Sequence, residues 1–319
     1  MITLARSQTV KATMQQRWGA ASLLASRFIA GATAEEAVAC AAALYAKHSI
    51  RGSLFYLGEY VNSADLVAEN VSAKLAVAAL LGQTGLDVHV SVDLTQIGHS
   101  LDPAKVRLNA FTIAEAVHRA ACNRPGVHAL MLDMEDQGVV DATIALHDAI
   151  KSAGLPAALT LQAYLRRTEA DIRAQIRRGT RLRLVKGAFA AGSEIAFTRR
   201  FEIKANSRRL IDLMFSRDAR NAGFYPILAT HDDQLQAYAL ERAGAAGWRA
   251  DEYEFEMLFG VRNDVSEDLA RRGQRVRLYL PFGQDWWPYA VRRIGENPRN
   301  AMLLLRALLG SARSRQALR

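Results

Sequence analysis

The chain has 319 residues, 50% of them apolar, and 41 basic against 32 acidic side chains give a formal charge of +9. That length suits one large domain or two small ones, and that apolar content excludes a disordered chain. Two cysteines, Cys40 and Cys122, exclude a disulfide-stapled scaffold and fit a reducing compartment or simple burial. The basic excess is spread in pairs such as Arg166-Arg167, Arg177-Arg178 and Arg271-Arg272. None has the interleaved aromatics of a nucleic-acid platform, so the excess reads as a solvated surface and no nucleic-acid partner is expected.

Helical periodicity dominates residues 10–48, with Thr33 as an N-cap and Glu36 as its capping-box partner. The apolar run before it is short and broken by Ser26 and Arg27, so it lacks a clean secretory pattern, and no window approaches the length of a membrane span. Trp18, Leu23, Leu24, Phe28 and Ile29 could line one helical face. That face serves either a peripheral membrane contact or, as preferred here, packing against the rest of the protein. A cytoplasmic protein is expected, with membrane association left open.

Beyond residue 50 the pattern alternates. Strands are predicted at 54–57, 88–94, 128–133, 157–161, 181–185, 225–229, 253–257 and 276–280. Helices are predicted at 63–81, 112–122, 138–153, 169–177, 194–215, 232–243 and 265–272, with a last one beginning near Asp285. Eight strands with intervening helices fit a (β/α)8 barrel. The expected division is an N-terminal helical arm over 1–50 and a barrel over 51–319. The seventh strand, in "GWRADEYEFEMLFG", also has helical character. An open doubly wound dinucleotide fold would want a G-x-G-x-x-G turn, and the chain has none.

In a barrel the C-terminal ends of the strands carry the chemistry. Polar residues fall there repeatedly: Asp93, Asp133, Gln162, Arg183 with Lys186, Thr230-His231-Asp232, and Tyr279 in the eighth strand. Each alone has a plain structural role; together they point to one shared site. In "RLRLVKGAF", Arg183, Val185 and Gly187 share a strand parity, so Arg183 faces the barrel mouth, where it needs an anionic partner. An internal ion pair to Asp133 or its neighbours would satisfy it, and is compatible with a ligand role. Arg292, Arg293 and Glu296 stand three and four residues apart on the last predicted helix. They form either a surface ion-pair cluster or a clamp for a carboxylate, which guanidinium groups grip bidentately. His231-Asp232-Asp233 is the only tight histidine–carboxylate cluster, and neither H-E-x-x-H, C-x-x-C nor G-x-S-x-G occurs. No metal site is expected. A barrel with arginine clamps and no evident nucleophile suits a cofactor enzyme that positions its reactants.

With these residues in hand, the sequence resembles the proline dehydrogenase family, flavoproteins built on a distorted (β/α)8 barrel. The likeness runs from about Gly52 to Asn300. It rests on "YLGE" at Tyr56 to Glu59, "LVKGAF" at Leu184 to Phe189, "FEMLFG" at Phe255 to Gly260, and "YLPFG…W…Y…RR…EN" ending at Asn297. The resemblance implies FAD, with Arg183 beside flavin N5, Gln162, Lys186 and Gly187 near the isoalloxazine, and Thr230 and His231 meeting the cofactor. It implies a substrate shell of Asp133, Tyr279, Arg292, Arg293 and Glu296, with the arginines on the carboxylate. The implied reaction takes L-proline to 1-pyrroline-5-carboxylate, with electrons passed to a quinone.

Two residues depart from that pattern. Family members usually end the second strand in a lysine, within a motif like S-[IV]-K-L, that helps bind the substrate carboxylate. Here the stretch is "SVDLTQIG", with Asp93 at that place. An anion there opposes an anionic substrate unless something answers it. Either Asp93 pairs with Arg292 or Arg293, or the substrate is a proline analogue or another cyclic amine with an added positive charge. Phe189, where tyrosine is commoner, is a milder change. A reading of another class, a non-catalytic flavin-binding regulator, is opposed by the retained tyrosine, arginine pair and glutamate.

Overall fold

The computed structural model describes residues 27–58 and 61–296. Eight parallel strands close into a barrel in chain order. They are β1 (Arg51–Tyr56), β2 (His89–Val92), β3 (Ala129–Leu132), β4 (Ala157–Gln162), β5 (Arg181–Val185), β6 (Tyr225–Ala229), β7 (Glu254–Leu258) and β8 (Val276–Phe282). Six residues of β1 pair with β8, from Arg51 opposite Arg277 to Tyr56 opposite Phe282, and this seam closes the ring. All eight predicted strands are present, including the seventh.

Helix α1 (Ala34–His48) precedes the barrel and packs on β1 and β8. It starts as the sequence predicts: the Thr33 hydroxyl accepts a hydrogen bond from the Glu36 amide. The Glu36 carboxylate reaches one residue further back than a capping box requires and accepts from the Ala32 amide at 2.6 Å. The predicted helical run over 10–48 is therefore interrupted at 27–33, where the chain forms turns and bends. Of the apolar face proposed for this segment, Phe28 and Ile29 are buried against Phe55, Leu57 and Tyr289. Trp18, Leu23 and Leu24 lie outside the described residues.

The crossover helices are α2 (Ala64–Gly82), α3 (Pro103–Ala121), α4 (Val140–Ser152), α5 (Thr168–Arg177), α6 (Arg200–Met214), the short α7 (Arg217–Asn221), α8 (Asp233–Ala246) and α9 (Asn263–Arg271). After β8 comes α10 (Trp287–Glu296). Helix α3 begins nine residues before the predicted position. Asp102 caps it by accepting from the Ala104 amide, and Pro103 sits where its missing N–H costs nothing. Helix α6 begins later than predicted. Residues 195–197 instead pair with the β4–α5 connection, where Phe197 N donates to Tyr164 O at 2.7 Å and Arg166 N to Ile195 O at 2.9 Å. No described helix is long and apolar enough to cross a membrane.

Strand residues that alternate outward, such as Leu54, Leu182, Leu184, Leu228, Phe255, Leu278 and Leu280, join the helices in one large core. The inward faces differ. Ala129, Met131, Ala158 and Ile227 form a small apolar plug across the lumen. Below it the lumen is ionic. Arg277, with no exposed surface, donates to Glu254 Oε1 at 2.8 Å, Asp87 Oδ2 at 2.8 Å and Gly52 O at 2.8 Å. Both carboxylates and the carbonyl are needed to satisfy a guanidinium taken out of water. Glu254→Leu removes one partner and leaves Arg277 buried, so it is expected to cost about 3–5 kcal/mol. The check is the urea midpoint with its slope unchanged; an unaltered midpoint would show that the lower ion network does not hold the barrel together.

Candidate active site

Above the apolar plug a second ionic layer opens toward the C-terminal mouth. Its centre is Arg183 on β5, only 3% exposed. Alternation along "RLRLV" turns Leu182 and Leu184 to the helices and Arg183 to the lumen. Its guanidinium forks onto Glu256 of β7, with Nε to Oε2 at 2.7 Å and Nη2 to Oε1 at 2.7 Å. The remaining arm, Nη1, donates to Asp133 just past β3 and, at 3.3 Å, to the Thr160 hydroxyl of β4. Nη2 also meets the Ser91 hydroxyl of β2 at 3.4 Å. The second oxygen of Asp133 accepts from the Tyr279 hydroxyl of β8 at 2.8 Å. Six strands thus meet at one cation.

Burial pushes the carboxyls of Asp133 and Glu256 up, and the guanidinium of Arg183 pulls both back. In return the two carboxylates hold Arg183 protonated against the same burial. Burial and the charge of Asp133 raise the Tyr279 phenol, so it stays a donor. The Tyr279 ring lies 5.2 Å from the Phe55 ring and 5.5 Å from the Arg183 guanidinium carbon, making one wall of the mouth.

The other predicted residues surround this layer. Gln162 ends β4, and its amide nitrogen donates to Glu135 O at 3.1 Å. Thr230 closes the turn after β6: its hydroxyl accepts from the Asp232 amide, and its carbonyl accepts from Gln236. Asp232 caps α8 and pairs with Lys204 at 2.7 Å, a structural role for that acidic neighbour of His231. His231 Nε2 accepts from the Leu258 amide at 3.3 Å and ties β6 to β7. Burial first, then the charges of Arg293 and Arg262, lower its imidazole to about 4. The ring is therefore neutral near pH 7, and with Nε2 accepting, Nδ1 carries the proton. Lys186 is exposed just past β5. Gly187 has φ +93, and a Cβ there would run into the Tyr164 ring, so only glycine fits. Arg292 is exposed and Arg293 half-buried on α10, the latter with its guanidinium carbon 5.3 Å from the Tyr289 ring. Glu296 closes α10; its side chain, like the whole of Glu59, lies outside what the structure describes.

Asp93 follows β2 on the inward parity of His89 and Ser91. A cation that the sequence reading did not nominate, Lys74 of α2, feels its charge together with that of Asp133. Glu256 was also not nominated. Its signal is present in "EFEML": two glutamates two residues apart in a strand face the lumen together, and Glu254 and Glu256 head the lower and upper ionic layers.

The residues present suit FAD, the cofactor expected from the sequence. Gln162 Oε1 and His231 Nδ1 are buried without a hydrogen-bond partner, a ready acceptor and donor for a heterocycle. A cavity of about 360 Å³ near the C-terminal ends of β5 and β6 is lined by Ala163, Lys186, Lys204 and Thr230 among others. The close turn at Gly187 brings backbone, not side chain, to the end of β5.

Fold and site together define a (β/α)8-barrel enzyme with its chemistry at the strand ends. The chain belongs to the proline dehydrogenase family, whose model, described as proline dehydrogenase, matches residues 38–305. It is similar to proline dehydrogenase of Deinococcus radiodurans, 31% identical over 306 residues, 95% of this chain and 94% of that one. It is also 33% identical to proline dehydrogenase 1 of Bacillus subtilis (strain 168) over 288 residues, 89% and 90% of the two chains. Among solved structures it matches proline utilization A from Bdellovibrio bacteriovorus, with TM-score 0.74 and 20% identity over 90% of this chain. Proline utilization A from Corynebacterium freiburgense matches with TM-score 0.71 and 22% identity over 94% of this chain. At such identities these two show the fold, and this chain spans 33% and 34% of their lengths.

His231 supplies a pH prediction. Its folded pKa of about 4 lies below the ordinary 6.5, so the unfolded chain binds the extra proton between those values. Stability is therefore lost as pH falls through that window. His231→Asn is expected to flatten the acid limb of a stability–pH curve, while His147, also held at about 4, keeps part of the slope. An unchanged slope between pH 6.5 and 4 would show that His231 does not titrate as its surroundings demand.

Proposed function

We propose that this protein is an FAD-dependent proline dehydrogenase that oxidises L-proline to 1-pyrroline-5-carboxylate and passes the electrons to a quinone. The observation that carries the reading is the buried Arg183–Glu256–Asp133–Tyr279 layer at the barrel mouth, in a chain of this family. Gln162, Arg183, Lys186, Gly187, Thr230 and His231 would hold the flavin. Bound there, FAD supplies the two-electron acceptor.

The reaction removes a hydride equivalent from C5 and a proton from the ring nitrogen. Arg292 and Arg293 on α10 would grip the carboxylate, and their charges disfavour a second positive charge on the amine, which must be neutral to react. The rings of Tyr279 and Phe55 give the pyrrolidine an apolar wall, and fixing its orientation is the main catalytic contribution. Asp133, held between Arg183 and Tyr279, keeps that wall in place. Arg183, locked by two carboxylates, offers a preorganised positive charge where negative charge accumulates during the reaction. A quinone acceptor implies that the enzyme works beside a lipid surface.

The test is anaerobic bleaching of the flavin by proline, hydroxyproline, N-methylproline and uncharged cyclic amines. Rapid bleaching by proline is expected. Bleaching by uncharged amines alone would overturn the substrate, and failure to bind FAD on reconstitution would overturn the flavoenzyme. Glu256→Gln leaves Arg183 without half of its fork, and a displaced guanidinium is expected to slow flavin reduction by about tenfold to a hundredfold. Stopped-flow absorbance measures this; a wild-type rate in the variant would remove Glu256 from the machinery.

A further inference from the structure

The seam that closes the barrel carries a charge conflict at its N-terminal end, the face away from the chemistry. Arg51, the first residue of β1, stands directly opposite Arg277 of β8 in the register. Like charges directly opposite on paired strands repel. Arg275, two residues before Arg277, brings a third guanidinium to the same pole. Asp87, just before β2, is shared between two of them. Its Oδ2 accepts from Arg277 Nη2 at 2.8 Å and lies 3.4 Å from Arg51 Nε. One oxygen thus faces two guanidinium groups, and the fully buried Arg277 has the closer hold on it.

Both outer arginines keep donors to spare. Among the described residues, Asp87 is the carboxylate in ion-pair contact with Arg51, whose guanidinium carbon otherwise stacks 5.6 Å from the centre of the Tyr45 ring. Arg275 spends Nη1 on the Tyr225 hydroxyl and the Asp251 carbonyl, both at 3.0 Å, which leaves Nε and Nη2 without an acceptor among the described residues. The other carboxylates of this pole are engaged elsewhere: Glu254 by Arg277, Glu252 by Arg220 and Asp251 by Arg249. Arg181 of β5 adds a fourth cation, spent on the His128 carbonyl at 2.6 Å and not on a carboxylate. Tyr45, Arg51, Asp87, Gly126 and Arg275 line a cavity of about 210 Å³. Position 126 must be glycine: φ is +155, and a Cβ would come within 2.5 Å of Asp87 Oδ1, the oxygen that accepts from the Val127 amide. The cavity is smaller than the roughly 300–1,000 Å³ usual for organic ligands, which favours a small ion.

We propose that this cavity is an anion site for a phosphate group, held by Arg51 and Arg275 across the seam between β1 and β8. The proposal goes beyond the proline reading and does not depend on it. Guanidinium groups grip a tetrahedral oxyanion bidentately, and phosphate has oxygens enough for both arginines. Its double charge offsets the excess of guanidinium over carboxylate at the seam; chloride brings a single charge and no fork of acceptors. Asp87 stands in the wall of the site, and the charge of Arg277 beneath it answers its own. Bound there, the anion ties the start of β1 to the start of β8 and relieves the repulsion between their arginines. A ligand that binds only the folded chain stabilises it by mass action, so the site acts on barrel closure without touching the mouth.

The experiment follows the thermal midpoint of the FAD-loaded holoenzyme as phosphate replaces chloride at fixed pH and ionic strength, in the wild type, Arg51→Gln and Arg275→Gln. The wild-type midpoint is expected to rise along a saturating curve, and each substitution to weaken the apparent phosphate affinity by about tenfold or more. Phosphate also stabilises folded chains in general by exclusion from their surface. A rise that does not saturate, or that survives in both variants, is that general effect and overturns the proposal. Flavin absorbance is recorded throughout; loss of flavin in step with the midpoint shift would assign the effect to the cofactor and overturn it too. Titration calorimetry on the wild type needs no variant. Saturable heat at one phosphate per chain is expected, and its absence overturns the site even if either variant folds poorly. ADP in place of phosphate separates the sources. Tighter saturation by ADP, lost in both variants, assigns the site to a phosphate carried on a nucleotide; a response to phosphate alone assigns it to the free ion.

Discussion

The arrangement at the mouth depends on one buried guanidinium. Arg183 has more hydrogen-bond donors than a single carboxylate can accept, and its burial keeps them from bulk solvent. The barrel answers by bringing Glu256 from β7, Asp133 from β3, and hydroxyls from β2 and β4 to the same point. Each of those groups is buried or nearly so, and the two carboxylates would be costly there without the arginine. The cluster is therefore mutually required: it sets where Asp133 lies, and through Asp133 where the Tyr279 ring stands.

The lumen as a whole departs from the expectation that a barrel interior is filled by branched apolar side chains. Apolar residues fill one thin layer, and arginine–carboxylate networks lie below and above it. The two layers share a strand. Glu254 and Glu256 of β7 are two residues apart, so the pleat points both inward at successive heights, one to Arg277 and one to Arg183. The lower layer lies on the face of the barrel away from the chemistry and acts as a closure. The upper layer faces the mouth and has a hydroxyl and an aromatic ring to offer a ligand.

How much of this was legible follows from what each signal depends on. Strands such as β5 and β6 are readable to the residue because their outward positions are apolar and their ends are marked by turn residues. Helix α3 was read nine residues too short, although Asp102 and Pro103 mark its start, because its first turns carry Lys105, Arg107 and an exposed Leu108 that blur the periodicity. The β5–α6 connection was read as helix because only a tertiary contact, the pairing with the β4–α5 loop, decides against it. Within the site, the need of Arg183 for an anion and the candidacy of Asp133 could be argued from parity alone. Glu256 was hidden in the strand whose own assignment was least clear. Lys74 was hidden more deeply, because on a helix a single lysine among apolar residues looks like a surface position until the register of the helix against the barrel is known.

That last point bears on how charge moves within a family fold. A pocket needs a certain balance of charge at a certain place, and strand ends and crossover helices both reach the mouth of a barrel. A carboxylate at the end of β2 would oppose an anionic substrate if the rest of the wall were apolar. Here α2 places an ammonium 5.9 Å from the centre of the Phe55 ring and 5.7 Å from that of Tyr56, where the charges of Asp93 and Asp133 favour its protonated form. A lysine on the strand would present its ammonium to the substrate directly. A lysine held among aromatic rings without a hydrogen bond acts only through its field, and its own protonation becomes conditional because burial brings its pKa down to about 7. Burial of Lys74 therefore lets its charge change with pH in a range where a solvated lysine stays protonated.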